Sequence, residues 1–411
     1  MAPGVAETVR ITALGHRGDG LADTPTGPVY VPYTLAGELA VIDRRGERGT
    51  LVEIVERSPE RALPACRHFH QCGGCALQMM SLADTRGFKR QLVIGALESR
   101  GLETPVDETI GVDPASRRRA VLTAVRTGKR ILLGYKERRS DTLVDVEHCP
   151  VLVPAIVEQL GILRQLLAAL ITGHKPARVT VLATRTGLDV DVRDVARPAR
   201  LLPDIVALCQ AGEIVRLTIG GETLLAFAEP LLEVSGVAVV PPPGAFVQAS
   251  GQAEAAMSAL VVQHLRGAKR VADLFSGFGT FALALARSAQ VTAIESSQPA
   301  LAALERAARG AAGLRGIRTE RRDLFGFALG ASELARFDGI VFDPPRAGAE
   351  AQAHELARSK VPRVAAVSCN PASFARDAGI LVGGGYRLQR VVPVDQFVYS
   401  AETEVVGLFA R

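Results

Sequence analysis

Apolar and polar residues alternate along the first part of the chain, in Glu7 to Leu14, Val29 to Pro32, Glu38 to Asp43 and Leu51 to Val55, with glycine-rich turns such as Gly15-His16-Arg17-Gly18-Asp19-Gly20 between them. A period of two sends successive side chains to opposite faces of a strand, so residues 1–57 predict short strands forming a small β-barrel. Ser58-Pro59-Glu60-Arg61-Ala62-Leu63-Pro64 breaks the pattern and reads as a linker. From 58 to 240 the periods mix and predict an α/β region. Leu82 to Ser99 is helical in spacing, Ala120 to Val146 is strand-like, and Val151 to Leu170 reads as an amphipathic helix. Ala177–Ala183 with Leu188–Val192 predicts a hairpin, and Ile214 to Leu225 a further strand pair. Pro241-Pro242-Pro243-Gly244 marks a second boundary. Beyond it helix and strand alternate regularly, through Ala253–Leu265, Arg270–Phe275, Thr280–Arg287, Val291–Glu295 and Pro299–Ala308, which predicts a doubly wound parallel α/β domain over 241–411.

With 411 residues the chain exceeds one compact core, in agreement with several domains. The longest apolar helical stretch, Val151 to Ile171, is interrupted by Glu158 and Arg164, and the N-terminus has no basic segment leading into an apolar one. A cytoplasmic protein without a membrane segment is therefore expected. Its net charge of +5 says little, but the distribution says more. Nine Lys and Arg against one Glu fall between Arg117 and Arg139, which suits either phosphate groups or a solvated hairpin face.

Candidate chemistry sits at predicted strand ends. Asp273-Leu274-Phe275-Ser276-Gly277-Phe278-Gly279-Thr280 follows a strand and opens a helix, where glycines let the backbone approach a cofactor. Glu295 ends the next strand, placed to accept from ribose hydroxyls, and Asp323 follows the strand after that, as an adenine contact or a helix cap. Asp343-Pro344-Pro345-Arg346 selects S-adenosylmethionine over a nicotinamide cofactor, and Arg346, where amino-group methylation calls for an aromatic residue, points to carbon as the methylated atom. Carbon 5 of uracil is a weak nucleophile. A thiolate adding to carbon 6 activates it, and Cys369 in Ser368-Cys369-Asn370-Pro371 fits that role, with Glu404 as the base that later removes the carbon 5 proton. An ordinary thiol is mostly protonated at neutral pH, so the site must lower its pKa or remove the proton on binding. Cys66, Cys72, Cys75 and Cys149 form a set suited to a tetrahedral zinc or a four-iron four-sulfur cluster, with the Cys149-Pro150 ending favouring iron-sulfur. Cys209 reads as a core residue.

Taken together, Cys66/Cys72/Cys75/Cys149, Arg117-Arg118-Arg119, Phe246-Val247-Gln248, Asp273-Leu274-Phe275, Phe342 to Gly348, Val367 to Pro371 and Asp395 to Glu404 resemble the RNA uracil-5-methyltransferases, most closely the ribosomal type. The resemblance spans nearly the whole chain. It implies a TRAM-like, OB-like barrel that grips RNA, a central iron-sulfur domain with a 4Fe-4S cluster on the four cysteines, and a class I methyltransferase domain. It also implies Cys369 as nucleophile, Glu404 as base, and S-adenosylmethionine contacts from Gln248, Phe275, Thr280, Glu295, Asp323 and Asp343. The RNA is expected to be 23S rRNA rather than tRNA, and the protein a monomer. Thr280, Ser250, Val398, Ala401 and Glu402 depart from the family's usual residues. The competing readings are a cytosine-5 enzyme, which would carry a second cysteine near Arg346, a non-catalytic iron-sulfur RNA-binding protein, and a small-molecule methyltransferase.

Overall fold

The computed structural model describes residues 5–197 and 203–411; residues 1–4 of the expected barrel lie outside that range. Three principal sheets follow one another along the chain. The first has six short strands, from Val5–Arg10 to Arg48–Glu56, around a small core of Val9, Ile11, Ala22, Val29, Val31, Ala40 and Ile42. The second has seven strands between Arg119 and Ala226, backed by the helices Leu160–Leu170 and Pro203–Ala211, with Cys209 fully buried in its core as expected.

The expected helix from Val151 to Leu170 is broken. Pro154, which lacks an N–H, opens a short helix, Pro154–Val157, and after a turn at Glu158 and Gln159 the main helix begins at Leu160. Arg126 then donates to the carbonyls of Ala168 and Ile171 at the end of that helix, where carbonyls lack helical partners.

The third sheet has eight strands. Ile317–Arg321, Gln290–Glu295, Arg270–Leu274, Gly339–Phe342 and Arg363–Ser368 run parallel in that spatial order. The expectation of a purely parallel sheet needs correction, because Glu404–Ala410 inserts antiparallel between Arg363–Ser368 and Arg387–Asp395. Only residues 396–403 join the last two strands, too few for the crossover that a parallel pair needs, so they pair as a hairpin. Residues 82–111, expected with the central region, lie on this sheet: Leu82–Glu98 packs beside the helix Pro371–Gly383, and Ile110–Gly111 extends the sheet edge along Val394–Asp395. Strand order reverses between the Arg270 and Gly339 strands, and their carboxyl ends open a crevice there. Among the described residues no helix is long and apolar enough to cross a membrane.

Most of the arginines between 117 and 139 are engaged inside the protein. Arg118 pairs with buried Glu254 at 2.7 Å and Arg119 donates to Ala245 O at 2.9 Å, tying the central sheet to the approach of the third. Arg138 stands 2.5 Å from Asp19, off the hydrogen-bond axis, and Arg139 3.3 Å from it, tying the central sheet to the first. Lys129 and Arg130 remain exposed at the hairpin tip.

Candidate active site

The crevice of the third sheet deepens into a cavity of about 680 Å³ lined by Gln248, Phe275, Thr280, Glu295, Asp323, Asp343, Cys369 and Glu404. Its floor is set by the turn after Arg270–Leu274. Phe275 adopts a left-handed φ of 60° and Gly279 one of 103°, and a Cβ on Gly279 would lie 2.4 Å from Leu304 Cδ1, so only glycine lets the turn close onto the Gln298–Gly310 helix. Thr280 opens the next helix, Thr280–Leu285. Glu295 accepts from the backbone N–H groups of Gly277 and Ser297 at 3.1 and 2.8 Å, which joins the glycine turn to the neighbouring strand end. Asp323 does not cap a helix; it accepts from Phe325 N at 3.0 Å and folds its own turn, bringing the Phe325 ring 5.4 Å from Phe275.

Cys369 and Glu404 are brought together by sheet register. Ser368 pairs with Val405 in the antiparallel ladder, so the next residue on one strand and the preceding residue on the other meet at the same sheet end. Cys369 stands just before the helix Pro371–Gly383, whose cap is Asn370. Asn370 also donates to Arg346 O at 3.1 Å and so fastens the Cys-Asn-Pro turn to the Asp-Pro-Pro turn. Arg346 in turn pairs with Glu402 at 2.9 Å across the cavity rim.

Electrostatics here are dominated by burial. Asp343 and Glu404 are held above the usual carboxylate range by desolvation, and the charge of Asp343 raises Glu404 further. The Cys369 thiol is pushed up to about 12, first by burial and then by the charges of Glu404 and Asp343. The expected lowering of the thiol's pKa is therefore not produced by the protein's own residues.

Gln396 escaped notice in the sequence because a loop amide carries no motif. It is buried and donates to Glu404 Oε1 at 2.7 Å and to Gln248 Oε1 at 2.8 Å, while Gln248 donates to Asp343 Oδ2 at 3.0 Å. Lys89, expected only as part of a helix, is buried against Asp395 and donates to Phe397 O at 2.9 Å.

The other predicted set, Cys66, Cys72, Cys75 and Cys149, lines a separate cavity of about 130 Å³ with Phe69, Tyr135, Val146 and Leu152 in its wall. Burial pushes the Cys75 thiol up to about 12 and raises those of Cys72 and Cys149. Among the described residues no three His, Cys, Asp or Glu side chains converge tightly enough to hold a metal ion. The Cys75 loop docks on the loop that leads to Glu404, with Ala76 N and Leu77 N both donating to Tyr399 O at 2.9 Å. His68 accepts from Glu147 N at 3.2 Å and His70 stacks on Tyr33, so both act within the local packing.

A mostly parallel sheet whose glycine turn and acidic strand ends line one crevice defines the class of S-adenosylmethionine-dependent methyltransferases. Residues 240–411 match the family described as tRNA (Uracil-5-)-methyltransferase. An uncharacterized RNA methyltransferase of Rhizobium meliloti is 48% identical, with 98% of this chain and 99% of that protein covered. The Chromohalobacter salexigens 23S rRNA (uracil(1939)-C(5))-methyltransferase RlmD is 35% identical over 99% of this chain and 90% of its own length. The solved structure of Pyrococcus abyssi tRNA (uracil-54, C5)-methyltransferase with S-adenosyl-L-homocysteine shares the fold, with a TM-score of 0.77 at 22% identity, over 98% of this chain and 99% of that one. The chain belongs to the RNA (uracil-5-)-methyltransferase family, enzymes that use S-adenosylmethionine to methylate carbon 5 of uracil in RNA.

Proposed function

We propose that the protein methylates a uridine of 23S rRNA through a covalent adduct between Cys369 and carbon 6 of the base. The observation that carries this reading is the shared cavity in which the Ser368–Val405 register sets Cys369 beside Glu404, with Asp343 on the same wall. S-adenosylmethionine, when bound, supplies an electrophilic methyl group on a cationic sulfur. The Cys369 thiol, held protonated first by burial and then by the charges of Glu404 and Asp343, would ionise more easily with that cation bound in the cavity. The Cys369 thiol loses its proton to solvent, its Sγ bonds to carbon 6 as the carbon 5–carbon 6 π electrons move onto carbon 5, and carbon 5 takes the methyl group, whose bond to the cofactor sulfur breaks to leave S-adenosylhomocysteine. Glu404 then accepts the carbon 5 proton; the C–H electrons restore the ring double bond and the Sγ–carbon 6 bond breaks, releasing the thiolate. Gln248, Phe275, Thr280, Glu295, Asp323 and Asp343 are assigned to the cofactor.

The four-cysteine cavity is assigned to a 4Fe-4S cluster. Four thiols around a space of about 130 Å³ with apolar walls suit a multi-atom cluster better than one zinc, which needs its sulfurs within about 2.3 Å of a single point. Residues 1–57 are assigned as a TRAM-like RNA-binding barrel, 58–240 as the cluster-bearing domain, apart from residues 82–111 that pack on the third sheet, and 241–411 as the methyltransferase domain of a monomeric, cytoplasmic enzyme. Ribosomal RNA is preferred over tRNA because a relative at 35% identity over 99% of this chain is named as a 23S rRNA enzyme, whereas the Pyrococcus abyssi tRNA enzyme, at 22% identity, is alike in fold.

The decisive experiment is mass spectrometry of rRNA and tRNA from a deletion strain, combined with reaction of the purified protein with 5-fluorouridine RNA. Loss of one methyl group from 23S rRNA and a denaturation-resistant protein–RNA complex are expected. A missing methyl in tRNA alone would overturn the substrate, and absence of the complex would overturn the mechanism. Cys369→Ala is expected to abolish methylation while leaving S-adenosylhomocysteine binding intact, as read by calorimetry.

A further inference from the structure

Gln396 has no step in the reaction above, yet every polar atom of its side chain is used. Its Oε1 accepts from the backbone N–H of Ala249 at 2.9 Å, which fixes the orientation of the amide. The two N–H groups of Nε2 are thereby directed to Glu404 Oε1 and Gln248 Oε1. With its own oxygen occupied, Gln248 directs Nε2 to Asp343. Donors in this buried relay therefore run one way, from the backbone towards the two carboxyls. Glu404 is held by one oxygen only, and the other, Oε2, is buried without a partner in the wall of the cavity that contains Cys369. A single lysine secures the relay from behind, because Lys89 Nζ bonds to Asp395 and to Phe397 O, the residues on either side of Gln396.

We propose that Gln396 is a positioning residue for proton abstraction: it grips Glu404 through Oε1, favours the ionised carboxylate, and leaves Oε2 presented to the hydrogen on carbon 5. This rests on the reading of Glu404 as the base. The groups facing Glu404 are Asp343, Cys369, Glu402 and Arg346; the carboxyls among them disfavour its ionisation and Arg346 favours it. Gln396 is the side chain that donates a hydrogen bond to it. Without that donor the base should ionise only at higher pH.

The test measures, across pH, the rate at which the covalent adduct on 23S rRNA from a deletion strain resolves to product, for wild type, Gln396→Met, the isosteric Gln396→Glu and Glu404→Gln. Loss of one hydrogen bond to a buried carboxylate is expected to slow resolution about tenfold at neutral pH and to move the rising, acidic limb of the profile up by about one unit, with adduct accumulating. Gln396→Glu should shift the limb in the same direction through repulsion. A limb at the wild-type position in either variant, or a rate loss equal at every pH, overturns the proposal. Should Gln396→Met fail to fold, as judged by circular dichroism, the Gln396→Glu profile decides by the same criterion. Glu404→Gln separates the two layers. Turnover without trapped adduct would remove Glu404 as the base and this proposal with it, whereas trapped adduct alongside unshifted Gln396 variants would sink the positioning role alone.

Discussion

Two buried carboxyls, Asp343 and Glu404, have folded-state pKa values above their ordinary ones, and this gives stability a definite pH dependence. Over the interval from the ordinary carboxylate range up to the raised values, the folded protein keeps protons that the unfolded chain releases. The associated stability is complete below the ordinary range and is lost as pH rises through the folded values. Glu404→Gln cannot ionise, so its thermal midpoint is expected to fall less than that of wild type between acid and mildly alkaline pH, as followed by calorimetry. Cys369 stood out as a residue because a cysteine on a polar turn is unusual, whereas Glu404, one of many carboxylates, stood out only with the family resemblance. Gln396 did not stand out, since its role comes entirely from bonds to Ala249, Gln248 and Glu404, up to 148 positions away.

The glycine turn shows what an element adds to its residues. Gly277 and Gly279 both have positive φ, but a Cβ on Gly277 would meet nothing within 4 Å, while one on Gly279 would collide with Leu304. Gly279→Ala is therefore expected to cost about 2–4 kcal/mol, from backbone strain together with overpacking, and Gly277→Ala about 1–2 kcal/mol from strain alone. Urea unfolding monitored with and without S-adenosylhomocysteine checks the order. The strand-turn-helix pattern was readable here because its signals are local. The Val151–Leu170 reading failed on both sides of Pro154–Val157, since the residues before Pro154 are not helical and Glu158–Gln159 form a turn, while apolar periodicity runs on through both. The reversed Glu404–Ala410 strand was invisible for a different reason: strand direction belongs to the pairing partner, and alternation is the same in either sense.

Across the whole molecule, the cysteine cavity and the active site share a support, the Tyr399 carbonyl that accepts from Ala76 and Leu77. With a cluster bound as proposed, Cys75→Ala should lower iron content and the visible absorption of anaerobically purified protein, and raise amide hydrogen exchange within residues 395–404. Iron at the wild-type level would exclude Cys75 as a ligand. Charge was the least reliable guide at this scale, because a count cannot tell the exposed Lys129 and Arg130 from Arg118, Arg119 and Arg138, which bind the sheets to one another. By itself the sequence determined the chain's chemical endowment: a glycine turn, acidic strand ends, one cysteine on a polar turn and a spaced set of four more, all encoded in short windows where local backbone preference and side-chain chemistry suffice. Tertiary structure alone decided which of these share a wall, because the meeting of Cys369 with Glu404, the burial that raises both, and the amide relay behind them depend on contacts between distant segments.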